Sequence, residues 1–256
     1  MFRWFKKEST PTQVAPTYHY HDISAIATYF QEETGVNFDK HTSILHNKVT
    51  AFCKQREIYN FETLHHSLLN NDARLKQELI DHLTTNETYF YREFKQIQTL
   101  CEVAKKEKGT LRILSAPCAT GEEPYSMAIA LIEAGVNPEK FHIVAVDINE
   151  DAIALSKDAT YKKRSVHKLS AEILQKYFSY HDERYHLKNT IKQQVSFEKQ
   201  NIFDASFTDI GKFDFIFSRN MLIYFDQANK QKARGILEGL RKSDQHAVFF
   251  GHADLF

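Results

Sequence analysis

The chain has 256 residues, enough for one large domain or two smaller ones with a sizeable core. Its 33 Lys and Arg balance its 33 Asp and Glu, so net charge gives no reason to expect a polyanionic partner such as nucleic acid. The three cysteines, Cys53, Cys101 and Cys118, lie far apart without a CxxC pair, which argues against a disulfide framework or structural zinc and suits a reducing cytosol.

The opening MFRWFKK is basic and aromatic, but no apolar run follows it, so it reads as neither signal peptide nor membrane span. Residues 1–21 hold Pro11 and Pro16 and no apolar periodicity, and are expected to form a disordered arm. His19 and His21 alternate around Tyr20; in a tail such spacing is incidental, and no metal is expected.

From 22 to 84 the apolar spacing is helical. Ile23, Ile26, Ala27 and Phe30 mark a first helix, stopped by Gly35. Ile44, Leu45, Val49 and Phe52 mark a second, Leu64, Leu68 and Leu69 a third, and Leu75, Leu79 and Leu83 a fourth. Lys40, Lys48, Lys54 and Arg56 fall around the second helix with no acid among them. That is either a solvated face or a docking surface for an acidic helical partner.

The stretch HLTTNETYFYREF, residues 82–94, follows. Its aromatics Tyr89, Phe90, Tyr91 and Phe94 surround Arg92, a spacing that suits neither a plain buried helix nor a flexible linker.

After Gly109 short apolar runs alternate with helical stretches. LRILSAP precedes EPYSMAIALIEAG, FHIVAVD precedes NEDAIALSKDA, and QVSFEK, FDFIF and AVFFGH supply further strands. This alternation is the signature of a doubly wound α/β sheet. Residues 159–194 are longer and more polar than a crossover needs, and are read as an insertion containing the helical piece AEILQKYF.

Ligands of an open parallel sheet bind at the carboxyl ends of its strands. The first such end, PCATGEE, has one glycine where a dinucleotide site wants three. Its Glu122 and Glu123 either complement the helix dipole or attract a cationic ligand. Asp147 ends the second strand, placed to take both hydroxyls of a ribose. Asn201 and the backbone of Ile202 follow the third, where they could meet an adenine edge. Arg219 and Asn220 follow FDFIF, with Tyr224 shortly after. The string Asn220-Met221-Leu222-Ile223 is not the Asn-Pro-Pro-aromatic motif that holds a planar base, which disfavours a nucleobase acceptor. A nucleoside site with acids where phosphates would sit points to S-adenosylmethionine, and so to a methyltransferase.

In chain order, TNETYFYRE, ATGEEPYSMA, AVDIN and FDFIFSRNMLIYFD together resemble the CheR family of chemoreceptor methyltransferases, from about residue 22 onward. The resemblance implies a Rossmann-like class I methyltransferase domain over 85–256, with the insertion inside it, preceded by an all-α receptor-docking domain over 22–84. It implies transfer of methyl groups from S-adenosylmethionine to glutamates on the cytoplasmic helices of chemoreceptors, with S-adenosyl-L-homocysteine as product. By position, it implies that Asn86, Thr88, Arg92, a glutamate of the GEE turn, Asp147, Asn201, Ile202, Arg219 and Asn220 contact the cofactor. Arg92 and Tyr224 match its catalytic positions. On this reading HLTTNETYFYREF is an interdomain linker forming one wall of the pocket, its aromatics framing the site and excluding water.

Two departures stand out. Pro117 replaces a small residue in the first loop, and SYHDERYHL lacks the glycine-rich turn of members that grip a receptor's C-terminal pentapeptide. No such tether is therefore expected. The segment after AVFFGH is short, so a final hairpin strand is expected to be missing. The expectation is a cytoplasmic monomer acting on chemoreceptor helices, without nucleic acid or membrane insertion. The alternatives are a same-fold enzyme for another protein or small molecule, and a non-catalytic cofactor-binding signalling module.

Overall fold

A computed structural model of the chain describes residues 19–70, 72–244 and 248–255. The N-terminal part comprises α1 (Ser24–Thr34), α2 (Thr42–Gln55), α3 (Phe61–Leu69) and α4 (Ala73–Leu83). Their seam residues Ile26, Phe30, Leu45, Val49, Phe52, Leu64, Leu68, Leu79 and Leu83 are buried together. Ile44 and Leu69, read from the sequence with that stripe, are instead 50% and 58% exposed. A helix turns about 100° per residue, so the neighbour of a buried residue leaves the seam. The side chains of Asn60 and Asp72 accept the Thr63 and Leu75 N–H groups at 2.7 and 2.9 Å, capping α3 and α4.

The expected arm, residues 1–21, falls mostly outside the described residues, but its last part is fastened down. The His19 N–H donates to the Tyr59 carbonyl at 2.9 Å, and the Tyr20 ring packs at a tilt against Phe61 with ring centroids 5.0 Å apart.

The rest of the chain runs through α5 (Phe94–Ala104), β1 (Leu111–Ser115), α6 (Glu122–Glu133), β2 (Phe141–Asp147) and α7 (Glu150–Asp158). Next come β3 (Thr160–Tyr161), α8 (Lys163–Val166), α9 (Ala171–Tyr177), β4 (Phe178–His181), β5 (Arg184–Leu187) and α10 (Asn189–Lys192). It closes with β6 (Val195–Lys199), β7 (Phe215–Ser218), α11 (Gln227–Gly239) and β8 (Val248–Phe250). Helix α5 is an element that the apolar periodicity did not single out.

The main sheet has the order β6-β2-β1-β7-β8, with every neighbouring pair parallel. Both of its faces are covered, as a parallel sheet requires. Ile113, Ile143, Phe215 and Phe217 join one core, while Leu114, Val144, Val146 and Ile216 join the other. This is the period-two alternation of strands. The order reverses between β1 and β7, which opens a crevice at their carboxyl ends. Residues 160–187 form a small antiparallel sheet of order β3-β5-β4 beside it. Among the described residues no helix is long and apolar enough to cross a membrane, and no cluster of His, Cys, Asp and Glu is placed to hold a metal ion.

The helical part docks on that carboxyl edge. Val36 forms an isolated antiparallel bridge with Phe225, and the Asn201 side chain donates to the Glu33 carbonyl at 2.7 Å. Asn149, after β2, donates to the Thr84 hydroxyl at 2.7 Å and to the Asp81 carbonyl at 3.1 Å. Gly35 ends α1 at φ 74°, and a Cβ there would lie 2.1 Å from the Phe203 ring. Only glycine meets both demands.

Candidate active site

Two adjoining cavities occupy the crevice. The larger spans about 880 Å³ and the smaller about 630 Å³, counting the solvent space at their mouths, and they share Thr85, Pro117, Ala119, Asn220 and Tyr224.

Of the residues singled out in the sequence, Asn86, Asp147, Asn201 and Ile202 line the larger cavity. Thr88, Arg92, Glu123 and Arg219 line the smaller, and Asn220 and Tyr224 border both. Glu122 lines neither, although it was a candidate beside Glu123. Its carboxylate accepts the Thr120 hydroxyl at 2.6 Å, because consecutive residues of α6 cannot face the same way.

Asp147 ends β2 buried, with its carboxylate bordering the larger cavity. Its two oxygens accept the N–H groups of Ala119 at 2.8 Å and Asn149 at 3.0 Å. With the Ile148 N–H also directed at the carboxylate, one of its roughly four lone-pair positions remains for a ligand hydroxyl. Burial pushes this carboxyl above its ordinary range, opposed by the backbone N–H groups of Asn149, Ala119 and Ile148. Around it Val36, Phe38, Val146, Ile148, Ile202 and Phe207 supply apolar walls suited to a planar base.

Asn201 is already engaged by the protein: its amide nitrogen serves Glu33 and its oxygen accepts the Phe203 N–H at 3.0 Å. One further lone pair on that oxygen and the second N–H of the amide remain for a ligand.

In the smaller cavity the two Glu123 oxygens accept the Ser115 hydroxyl at 2.8 Å and the Arg219 Nε–H. Arg219 is buried and also donates to the Arg92 and Glu93 carbonyls at 2.8 and 3.3 Å. It therefore ties the end of the linker to α6. The charge of Glu123 is compensated by this pair, so what it adds toward a cation is a second lone pair on each oxygen. Arg92 donates to the Glu87 carbonyl at 3.0 Å and faces the same space as Tyr224. Burial raises the Tyr224 phenol above its usual value, so it remains an O–H donor at neutral pH.

The linker aromatics do not line either cavity, contrary to the expectation that they frame the site. Phe90 is wholly buried, edge-on to Tyr161 and Phe178 at centroid distances of 4.9 and 5.4 Å. Tyr91 stacks on Phe94 at 3.9 Å, and Tyr89 lies 4.9 Å from His167. They anchor the linker to α5 and to the small sheet's side of the domain, while its polar residues turn toward the crevice. Pro117 lies at the junction of the two cavities, after a cis peptide bond from Ala116.

The basic residues around α2 do not make one free patch. Lys48 donates to the Leu83 carbonyl at 3.0 Å, and Arg56 pairs with Glu78 at 2.9 Å while lying 3.8 Å above the Phe52 ring. Lys40 and Lys54 are exposed.

Several lining residues escaped the sequence reading: Thr34, Val36 and Phe38 of the helical part, and Gln200 and Met221 beside residues that were named. Val36 and Phe38 on either side of Asn37 were the available signal, being apolar where a surface loop is usually polar.

Apolar walls, a carboxylate for a ligand hydroxyl and a second chamber with paired charges fit a nucleoside joined to a charged chain. A family model described as CheR methyltransferase, SAM binding domain, matches residues 86–256. A chemotaxis protein methyltransferase of Campylobacter jejuni is 31% identical over 255 residues, covering 98% of this chain and 92% of that protein. Chemotaxis protein methyltransferase 2 of Vibrio cholerae is 33% identical, covering 91% of this chain and 85% of its own length. A solved O-methyltransferase family protein from Burkholderia thailandensis aligns over 72% of this chain and 43% of its own, with 13% identity and a TM-score of 0.35, too slight a likeness to add anything. With most of its length matched, a Rossmann-like sheet and a site that fits the cofactor, the chain belongs to the CheR family of S-adenosylmethionine-dependent chemotaxis methyltransferases.

Proposed function

We propose that this chain methylates glutamate side chains on the cytoplasmic helices of chemoreceptors, forming methyl esters, and that it does so as a cytoplasmic monomer without a peptide tether. The observation that carries this reading is the smaller cavity. Its described lining includes Arg92 and Tyr224 but neither His nor Lys.

An acceptor amine or alcohol would have to lose a proton. A glutamate carboxylate, with a reference pKa of about 4.3, is already ionised at neutral pH and needs no general base. S-adenosylmethionine, when bound, supplies a methyl carbon on a positively charged sulfur, open to attack by the carboxylate oxygen with the C–S electron pair left on sulfur.

The residues around it have three tasks. With the cofactor bound, Asp147 would hold the ribose, and Asn86, Asn201, Ile202 and Asn220 would border the base and the turn toward the reacting end. Thr88, Glu123 and Arg219 would border its amino-acid end. Arg92 and the Tyr224 hydroxyl orient the acceptor carboxylate, and this positioning can supply up to roughly 7–11 kcal/mol. Arg92 must not grip too tightly, since stabilising the ground state as much as the transition state gains no rate.

The β4–β5 hairpin supports the lack of a tether. Its turn residues Asp182 and Glu183 are both left-handed, at φ 49° and 58°, in a two-residue turn built without glycine. For docking, Lys40 and Lys54 are the exposed cations of the α2 region that remain for an acidic receptor helix.

Incubation of a receptor cytoplasmic fragment with S-adenosylmethionine, followed by peptide mass spectrometry, tests the acceptor. Methyl groups on glutamate side chains support the reading, and methyl groups on amines or amides overturn it. Calorimetry with a receptor C-terminal pentapeptide tests the tether; tight binding would contradict its absence.

A further inference from the structure

The turn after β8 carries a buried acid to which neither the chemistry nor the cofactor assigns a role. Asp254 lies in the 3₁₀ turn His252–Leu255 and is 1% exposed. Its Oδ2 accepts the Asn220 N–H at 2.5 Å and the Gly251 N–H at 3.1 Å, and its Oδ1 accepts the Ile223 N–H at 3.3 Å. The Leu222 N–H points to it as well. Three of these four donors belong to the loop that follows β7 and bears Arg219, Asn220 and Tyr224. Asn220 stands in the left-handed region at φ 60°, which asparagine tolerates better than most side chains.

The approach is close enough to exclude any side chain at Gly251. A Cβ there would lie 2.8 Å from both the Asn220 nitrogen and the Asp254 Oδ2, and 3.2 Å from the Arg219 Cα. The same turn also touches the other side of the acceptor mouth. The His252 N–H donates to the Glu93 carboxylate at 3.2 Å, and the Gln96 side chain donates to the Phe250 carbonyl at 2.7 Å. Arg234 of α11 holds the turn from behind, donating to the Asp254 carbonyl at 3.0 Å. One short turn thus grips the backbone beneath Tyr224 and the end of the linker that bears Arg92. Burying a carboxylate is costly, and here it is repaid by a nest of N–H groups on the site loop.

We propose that Asp254 is a positioning residue for methyl transfer, fixing the Asn220–Ile223 backbone so that Tyr224 points into the acceptor mouth and Asn220 borders the cofactor. The part concerning Tyr224 rests on the reading that this phenol faces the acceptor; the part concerning Asn220 does not.

Two variants of the full chain perturb this contact from opposite sides. Asp254→Asn removes an acceptor, and Gly251→Ala displaces the carboxylate while keeping its charge. Each is assayed for S-adenosyl-L-homocysteine affinity by calorimetry and for kcat on receptor-containing membranes, well below its melting temperature. Both variants are expected to lose a few-fold in kcat, no more than Tyr224→Phe itself loses, and a few-fold in affinity. In a Tyr224→Phe background, Asp254→Asn is expected to cost much less, since it acts through Tyr224. Folded variants with wild-type affinity and wild-type kcat would overturn the proposal, as would effects of Asp254→Asn and Tyr224→Phe that simply multiply. If the wild type itself fails to methylate the membranes, the acceptor reading fails, and the calorimetry alone still decides whether Asp254 sets Asn220.

Discussion

The backbone N–H of Asn37 donates to the carbonyl of Tyr224 at 2.8 Å, so the helical domain is hydrogen-bonded to the residue whose phenol borders both cavities. Beside it Val36 bridges to Phe225, and the Gln31 side chain donates to Asp226 at 2.7 Å. The cofactor crevice is therefore closed on one side by a domain that, judged by sequence position, lies far from it. Docking of that domain and the geometry of the site are one structural problem.

Gly35→Ala tests this dependence. The new methyl group would meet the Phe203 ring at 2.1 Å in a left-handed backbone conformation, a strain of about 1–3 kcal/mol. The variant is expected to melt at a lower temperature and to bind S-adenosyl-L-homocysteine more weakly, because Val36 and Asn201 border the same cavity. Thermal denaturation and calorimetry on one preparation measure both effects; a lower melting point with unchanged affinity would separate docking from binding.

Asp147 gives a pH signature. Burial holds its carboxyl above the ordinary value of 3.8, so in the folded protein it keeps a proton to a higher pH than in the unfolded chain. Such a group stabilises the fold below its unfolded pKa, and that contribution is lost as pH rises through the folded one. The ribose, by contrast, needs the ionised acceptor. Cofactor affinity is thus expected to fall on acidification, starting at a higher pH than an ordinary aspartate would set. Asp147→Ala removes a charge-assisted hydrogen bond worth about 1.5–3 kcal/mol, so affinity should drop about ten- to a hundredfold and lose that pH dependence. The control is needed because burial also raises the nearby Asp81 carboxyl.

Arg92→Ala is expected to lower kcat about ten- to a hundredfold, the scale of a misplaced reacting group, with cofactor affinity changed far less. Tyr224→Phe, losing one hydrogen bond, should cost kcat a few-fold. Steady-state kinetics at saturating cofactor decides the matter. A variant with normal turnover but lost binding would reassign its residue to the cofactor.

Reversing the exposed charges, Lys40→Glu with Lys54→Glu, is expected to lower kcat/KM on receptor membranes several-fold at low salt and to leave kcat alone. The difference from wild type should shrink as salt rises. No effect at low salt would move the docking face elsewhere.

What the sequence made legible follows from how local each signal is. FHIVAVD announces a buried strand, and an acid at its carboxyl end is functional in many sheets, so Asp147 could be found without coordinates. The pair Glu122–Glu123 was legible as a turn, but not which member faces the crevice, because that depends on the rotation of α6 as docked. Tyr89, Phe90 and Tyr91 were visible as a cluster, yet periodicity does not say which side of an irregular linker meets the core. Val36 and Phe38 were hidden for a different reason: they border the cavity only because the helical domain folds back onto a loop nearly two hundred residues later. Asp254 was hidden likewise, since its partners are backbone N–H groups, which carry no sequence signal.

The central claim is that a carboxylate receives the methyl group, and one measurement reaches it directly. Receptor-containing membranes are incubated with the enzyme and S-adenosylmethionine labelled in its methyl group, then washed and treated with mild alkali. A glutamyl methyl ester predicts label on the receptor that alkali releases as volatile methanol. Label that attaches and survives the alkali would keep the methyltransferase and contradict the carboxylate acceptor.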